Sequence, residues 1–147
     1  MTKCVWGFYA ILCFCIGGNT ISAQNIRQDD IVGTWLTEDQ TGQIAIYKSN
    51  SKYFGKIQDG TSDEHSDVHN PDDARRNDPL IGLVILKDLQ FDSGSEWKDG
   101  TVYDPKNGKT YKCMLELLDK NKLRITGYIG FTWIGRSEVW HRIGNIQ

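Results

Sequence analysis

From Ile31 to Ile143 the chain is a succession of short runs rich in Val, Ile, Tyr, Trp and Thr, each closed by a polar turn. No stretch carries the period of a long amphipathic helix. Residues of this kind favour strands, where branched and aromatic side chains sit well on a pleated surface. The expected strands are Ile31–Thr37, Gln43–Lys48, Lys52–Gln58, Ile81–Leu86, Lys98–Tyr103, Thr110–Leu117, Leu123–Ile129 and Arg136–Ile143. Three connections are tight. Ser49-Asn50-Ser51 and Asp119-Lys120-Asn121-Lys122 leave room only for short hairpin loops. In Asp104-Pro105-Lys106-Asn107-Gly108, Pro105 fixes φ and Asn107-Gly108 tolerates the positive φ that closes a turn. Hairpins between consecutive strands imply an up-and-down antiparallel order. About eight such strands suit a small closed β-barrel, which removes the exposed edges of a flat sheet. A two-sheet sandwich is the alternative.

One segment breaks the pattern. Asp59 to Pro79 is polar, acidic and poor in strand formers. Loops longer than about 12–15 residues are usually functional or disordered. Within it, Asn70-Pro71-Asp72-Asp73-Ala74-Arg75-Arg76 predicts one short helix: Asn70 as cap, Pro71 at the first helical position, and acids near the positive end of the dipole.

Ahead of the strands, Met1–Ala23 has the form of a secretory signal peptide. Lys3 supplies the positive start, Val5–Ile16 is uncharged and apolar, and Ile21-Ser22-Ala23 ends on a small residue before Gln24. A spanning helix needs about 20 apolar residues, and Gly17-Gly18-Asn19-Thr20 ends the run too soon. Ile11-Leu12 before Cys13, and Cys13-Phe14 before Cys15, are too bulky for a lipid-attachment site. The expected product is one exported domain, 24–147, periplasmic or secreted, with no transmembrane anchor. Cleavage would remove Cys4, Cys13 and Cys15, leaving Cys113 with no intrachain disulfide partner. Its place between Tyr111 and Leu115 in an alternating run marks it as a small buried hydrophobe. Without Lys3 the balance is 16 basic to 19 acidic residues and holds no basic stripe, which argues against nucleic acid as a partner.

Motifs for chemistry are sparse. The chain contains no Gly-x-Ser-x-Gly, no phosphate-binding glycine loop and no His-Glu-x-x-His, which weakens an enzymatic reading. His65, Asp67 and His69 form a loose set of metal-ligand types, but a solvated acidic loop tip explains them as well, and neither a metal nor a cofactor is expected. Gly33-x-Trp35 on the first expected strand admits a close neighbour. Arg136, Trp140 and Arg142 on the last expected strand place a guanidinium where it can stack on an indole as the chain ends meet. Tyr103, Tyr111, Tyr128 and Trp140 are candidates for a pocket lining, though strand aromatics more often fill a core.

These motifs, taken in order, resemble a known family. Gly33-x-Trp35, Asn70-Pro71-Asp72 with Arg75, Pro79-Leu80-Ile81-Gly82-Leu83, Gly100 to Tyr103-Asp104-Pro105, Gly108-Lys109-Thr110-Tyr111, Gly127-Tyr128-Ile129-Gly130, Gly135-Arg136-Ser137 and Trp140-x-Arg142 are similar to the pattern of domain-of-unknown-function family 2147. The resemblance runs from about Ile31 to Ile143. It implies an exported bacterial protein with a lipocalin-like (calycin-type) barrel, and it implies no activity.

The combined expectation is a binding module that holds a small apolar or amphipathic ligand in its barrel mouth. Asp72, Arg75, Tyr103, Tyr128, Arg136 and Trp140 are the ligand-binding candidates. Two alternatives stand beside it: an envelope enzyme using carboxylate and Arg groups of Asn70–Arg76, and a structural or protein-interaction domain. Oligomeric state and strand register are not readable.

Overall fold

Side chains alternate between the two faces of a strand, so a run with one apolar face can curl around its own core. That is the arrangement in a computed structural model, which describes residues 25–61, 63–129 and 132–144, with side chains at 132–134 excepted. Met1–Ala23, the expected signal peptide, and Gly130 lie outside the described residues. Eight strands follow in order: β1 (Gly33–Leu36), β2 (Gly42–Ser49), β3 (Lys52–Gly60), β4 (Val84–Phe91), β5 (Glu96–Asp104), β6 (Lys109–Asp119), β7 (Lys122–Ile129) and β8 (Thr132–Gly144). Each pairs antiparallel with the next, and β1 pairs with β8 through Trp35 opposite Arg142. The sheet is therefore a closed eight-stranded barrel, and the sandwich alternative is excluded.

The three tight connections behave as their residues dictate. Asn50 turns β2 into β3 at φ 56°. The Gly108 N–H donates to the Asp104 carbonyl at 2.8 Å, with Gly108 at φ 69°. The Asn121 N–H donates to the Asp119 carboxylate at 2.7 Å.

Two elements depart from the sequence expectation. The fourth strand is Val84–Phe91, not Ile81–Leu86. Leu80 and Ile81 belong to a turn closed by the Leu83 N–H on the Leu80 carbonyl (3.0 Å), and Gly82 sits at φ 89°. The strand then continues through Asp88 at φ 61°, a kink that its residue types concealed. The short helix is a single 3-10 turn, Asp73–Arg75, capped by Asp72 on the Ala74 N–H at 3.0 Å. Asn70 acts one step earlier, its side-chain oxygen accepting from the Asp72 N–H at 2.9 Å.

The lower half of the barrel is solid. Trp35, Ile46, Tyr53, Leu89, Trp97, Leu115, Leu117 and Leu123 are all buried there. Gly100 gives Leu89 its place, because a Cβ at that position would overlap the leucine side chain. Residues 25–32 cover this end. Ile31 is fully buried, and its carbonyl accepts from the Trp35 indole N–H at 2.9 Å. The Arg142 guanidinium lies 4.2 Å from the centroid of the Trp35 ring and donates to the carbonyls of Val32 (2.8 Å), Lys120 (2.6 Å) and Asp30. Burial pulls its pKa below the ordinary arginine value. Gly33 is required beside it, since a Cβ there would strike the same guanidinium. The Gly-x-Trp and Trp-x-Arg motifs are thus two halves of one structural closure.

Among the described residues no helix is long and apolar enough to cross a membrane. The strands carry exposed Lys87, Lys112 and Arg124 outside and apolar side chains within, the reverse of the lipid-facing band of a membrane barrel.

Candidate functional site

Above the core, the barrel walls diverge and the side chains no longer meet. A cavity of about 770 Å³ opens between them, at the end opposite Arg142. Ligand pockets commonly measure about 300–1,000 Å³, so this space suits one small molecule. Its floor is aliphatic and aromatic: Ile44, Ile57, Ile85, Val102, Ile125 and Trp140. Most of these positions follow from strand alternation. On β8, Arg136, Glu138 and Trp140 share one face and descend from rim to floor, with Arg142 next below at the closure. On β7, Ile125, Gly127 and Ile129 do the same.

The rim is polar and internally tied. Asp39 accepts from the hydroxyls of Thr37 and Thr41, both at 2.8 Å, and pairs with Lys106 at 3.2 Å. The Thr37 and Thr41 hydroxyl bonds, with the lysine beyond, hold the Asp39 carboxyl well below the usual carboxylate range. This joins the β1–β2 loop to the β5–β6 loop across the mouth. Asp104 is engaged by its own turn, accepting from the Lys106 N–H (3.0 Å) and the Asn107 side-chain amide (2.8 Å). Glu138 lies deeper, 3.3 Å from both the Arg136 guanidinium and the Trp140 indole N–H.

The segment 61–83 builds one side of the mouth, with Glu64, His65, Pro79, Leu80 and Ile81 facing the cavity. Its anchor is a buried carboxylate. Asp67 is fully buried and accepts from the Tyr103 hydroxyl at 2.7 Å and the Asn70 amide at 2.6 Å. Burial, reinforced by the Asp67 carboxylate, pushes the Tyr103 phenol up to about 12. A buried charge with both oxygens satisfied holds its surroundings in one arrangement, and removing a partner is costly. Asp67 therefore ties the segment to β5 through Tyr103.

Of the six residues expected to meet a ligand, Tyr103, Arg136 and Trp140 line the cavity. The other three do not. Asp72 caps the 3-10 turn, and Arg75 pairs with Asp78 at 3.0 Å on the outside of the segment. Tyr128 alternates with the lining residues Gly127 and Ile129, which leaves it off the cavity face. No residue of 70–76 reaches the cavity, so the groups invoked for an enzyme are spent on turns and ion pairs. The metal set also disperses: Asp67 is committed to Tyr103 and Asn70, His69 faces Glu64 at 3.7 Å, and His65 lines the mouth. Among the described residues no three His, Cys, Asp or Glu side chains gather as a metal site. Glu138 and the isoleucine floor were missed in the sequence. The alternation Arg136-x-Glu138-x-Trp140-x-Arg142 is the signal that marks Glu138, since every second residue of a strand shares a face.

Cys113 is fully buried in the wall, and desolvation raises its thiol to about 12. That makes it a packing residue, not a nucleophile.

Comparison with known proteins agrees with this architecture. The profile of a family described as an uncharacterized protein conserved in bacteria (DUF2147) matches residues 33–142. Among solved structures, protein HP1028 from Helicobacter pylori, described as belonging to the lipocalin family, is similar with a TM-score of 0.70 and 24% identity. The match covers 76% of this chain and 82% of that one, and it supports the fold alone. No curated protein matches the chain.

Proposed function

We propose that this chain, which belongs to the bacterial family described as uncharacterized proteins conserved in bacteria (DUF2147), is an exported binding module that holds a small apolar or amphipathic ligand in its barrel mouth. The observation that carries the reading is the division of the interior. Large side chains fill the lower half to closure, whereas the upper half keeps about 770 Å³ above an aliphatic floor. A barrel of eight strands can fill itself or keep room for one small ligand, and this one does each in a different half. An apolar floor under a polar rim favours a molecule with a tail and a head. Tyr103, Arg136 and Trp140 are the side chains assigned to contact it. Ile81 and Ile129, 55% and 68% exposed, stand on the rim, where an apolar tail would pass.

Export is inferred from Met1–Ala23 and predicts an exported product beginning at Gln24. Intact-mass measurement of the exported protein tests it, and a retained leader would remove the inference. For binding, the purified protein is incubated with an envelope lipid extract and re-isolated, and the bound molecules are identified by mass spectrometry. The expected outcome is a discrete amphiphile retained by the wild type and lost in Ile125→Trp, which fills the floor. Equal retention by both proteins, or none by either, refutes the reading.

A further inference from the structure

We infer that the cavity selects ligands with a cationic head, an alkylammonium in chemical class, seated against Glu138 with the tail on the isoleucine floor. This rests on the binding reading above and adds the charge of the ligand. Position comes first. Glu138 lies on the cavity face of β8 between the rim residue Arg136 and the floor residue Trp140, and its side chain is 29% exposed. A head group that reaches it is already inside the mouth, with its tail directed at the floor. Its carboxylate contacts to Arg136 and Trp140 are both long at 3.3 Å. The Arg136 side chain is 87% exposed, and an exposed ion pair of that kind contributes little. A ligand ammonium lodged below the rim meets the same carboxylate with less water between them, and so competes well.

The surrounding charge points the same way. Asp39, Asp59, Glu64 and Asp104 line the mouth together with Glu138, against the cations Lys106 and Arg136. Lys106 is itself paired with Asp39. A recess lined by an excess of one sign focuses its field and concentrates ions of the other sign. Tyr103, Tyr111 and Trp140 all line the cavity, and ring faces attract an ammonium, more so when it is desolvated.

The test uses three probes of equal chain length, decyltrimethylammonium, decanol and decanoate, titrated into the purified protein by calorimetry below their micelle concentrations. The ammonium should bind about tenfold or more tighter than decanoate at low ionic strength, and the ratio should shrink as salt screens the rim. Glu138→Gln should collapse that preference, bringing the ammonium-to-decanoate affinity ratio close to one. Arg136→Gln, which removes the competing guanidinium, should strengthen ammonium binding. If decanol binds but decanoate matches or exceeds the ammonium, the charge inference is wrong and the binding reading stands. An unchanged preference in Glu138→Gln also overturns the inference. If none of the three probes binds, both readings fall.

Discussion

Replacing Arg142 by Met keeps the aliphatic stem and removes the fork that closes the lower end of the barrel. The guanidinium donates to Val32 (2.8 Å), Lys120 (2.6 Å) and Asp30 and stacks at 4.2 Å on Trp35. The Lys120 carbonyl is exposed and regains water. The Val32 and Asp30 carbonyls are partly buried, and each loses a donor at about 1–1.5 kcal/mol, the lower part of the usual range for an unsatisfied group. Loss of the cation–ring contact adds about 1 kcal/mol. Together the substitution should cost about 3 kcal/mol, a large share of the ~5–15 kcal/mol by which domains are stable. With urea slopes of about 1–3 kcal/mol per molar for small proteins, the unfolding midpoint should fall by roughly 1–3 M. Arg142→Lys retains the charge but not the fork and should lose about 2 kcal/mol. Equilibrium urea unfolding followed by tryptophan fluorescence measures both. A loss below about 0.5 kcal/mol for Met, or a Lys variant equal to wild type, would refute the claim that the guanidinium fork is what ties the chain ends together.

Three further outcomes are expected. Gly108→Ala should destabilise the protein by about 2–3 kcal/mol, because residue 108 sits at φ 69° and a Cβ there would overlap the His69 carbonyl oxygen. Thermal unfolding checks the size, and faster proteolysis within 61–83 checks the place. Cys113, fully buried with its thiol raised to about 12, should resist iodoacetamide in the native protein and react only on unfolding, read from the mass of the peptide that carries it. Stability should fall as pH rises from about 10 to about 12, because unfolded Tyr103 loses its proton near 10 while the folded phenol keeps it to about 12. Tyr103→Phe should lessen that slope in urea unfolding series, the remainder coming from Tyr53 and Cys113, whose burial also raises them, and an unaltered slope would count against the Asp67 anchor.

Much of the fold was legible because each strand bears its own alternation and each hairpin its own turn chemistry. The closure was also legible, since Gly33-x-Trp35 and Trp140-x-Arg142 carry residue types suited to a stacked guanidinium. β4 was displaced because Ile81-Gly82-Leu83 reads as the start of a strand although Gly82 sits in a turn there, and because Lys87-Asp88 reads as loop although the strand kinks through it. The site was legible only in part. Tyr103 and Trp140 are aromatics on alternating strands, so a place in the wall was a sound expectation. Asp72 and Arg75 have the chemistry of ligand contacts, but local geometry uses them first, one on the Ala74 N–H and one on Asp78. Tyr128 turns on register, which depends on tertiary pairing: a one-residue slip moves every side chain of a strand to the other face. The cavity itself is a property of packing between strands, and no single segment announces it.

The central claim is that the upper half of the barrel holds the ligand and the lower half is core. Two-dimensional NMR of the labelled protein during titration with decanol tests this most directly, because the neutral probe reports on the space and not on the rim charge. Saturable shift changes should gather at Ile44, Ile85, Ile125 and Trp140, while Leu89, Trp97 and Leu115 in the solid half stay still. Changes spread over the exterior, changes centred on the lower half, or no saturable response would contradict it.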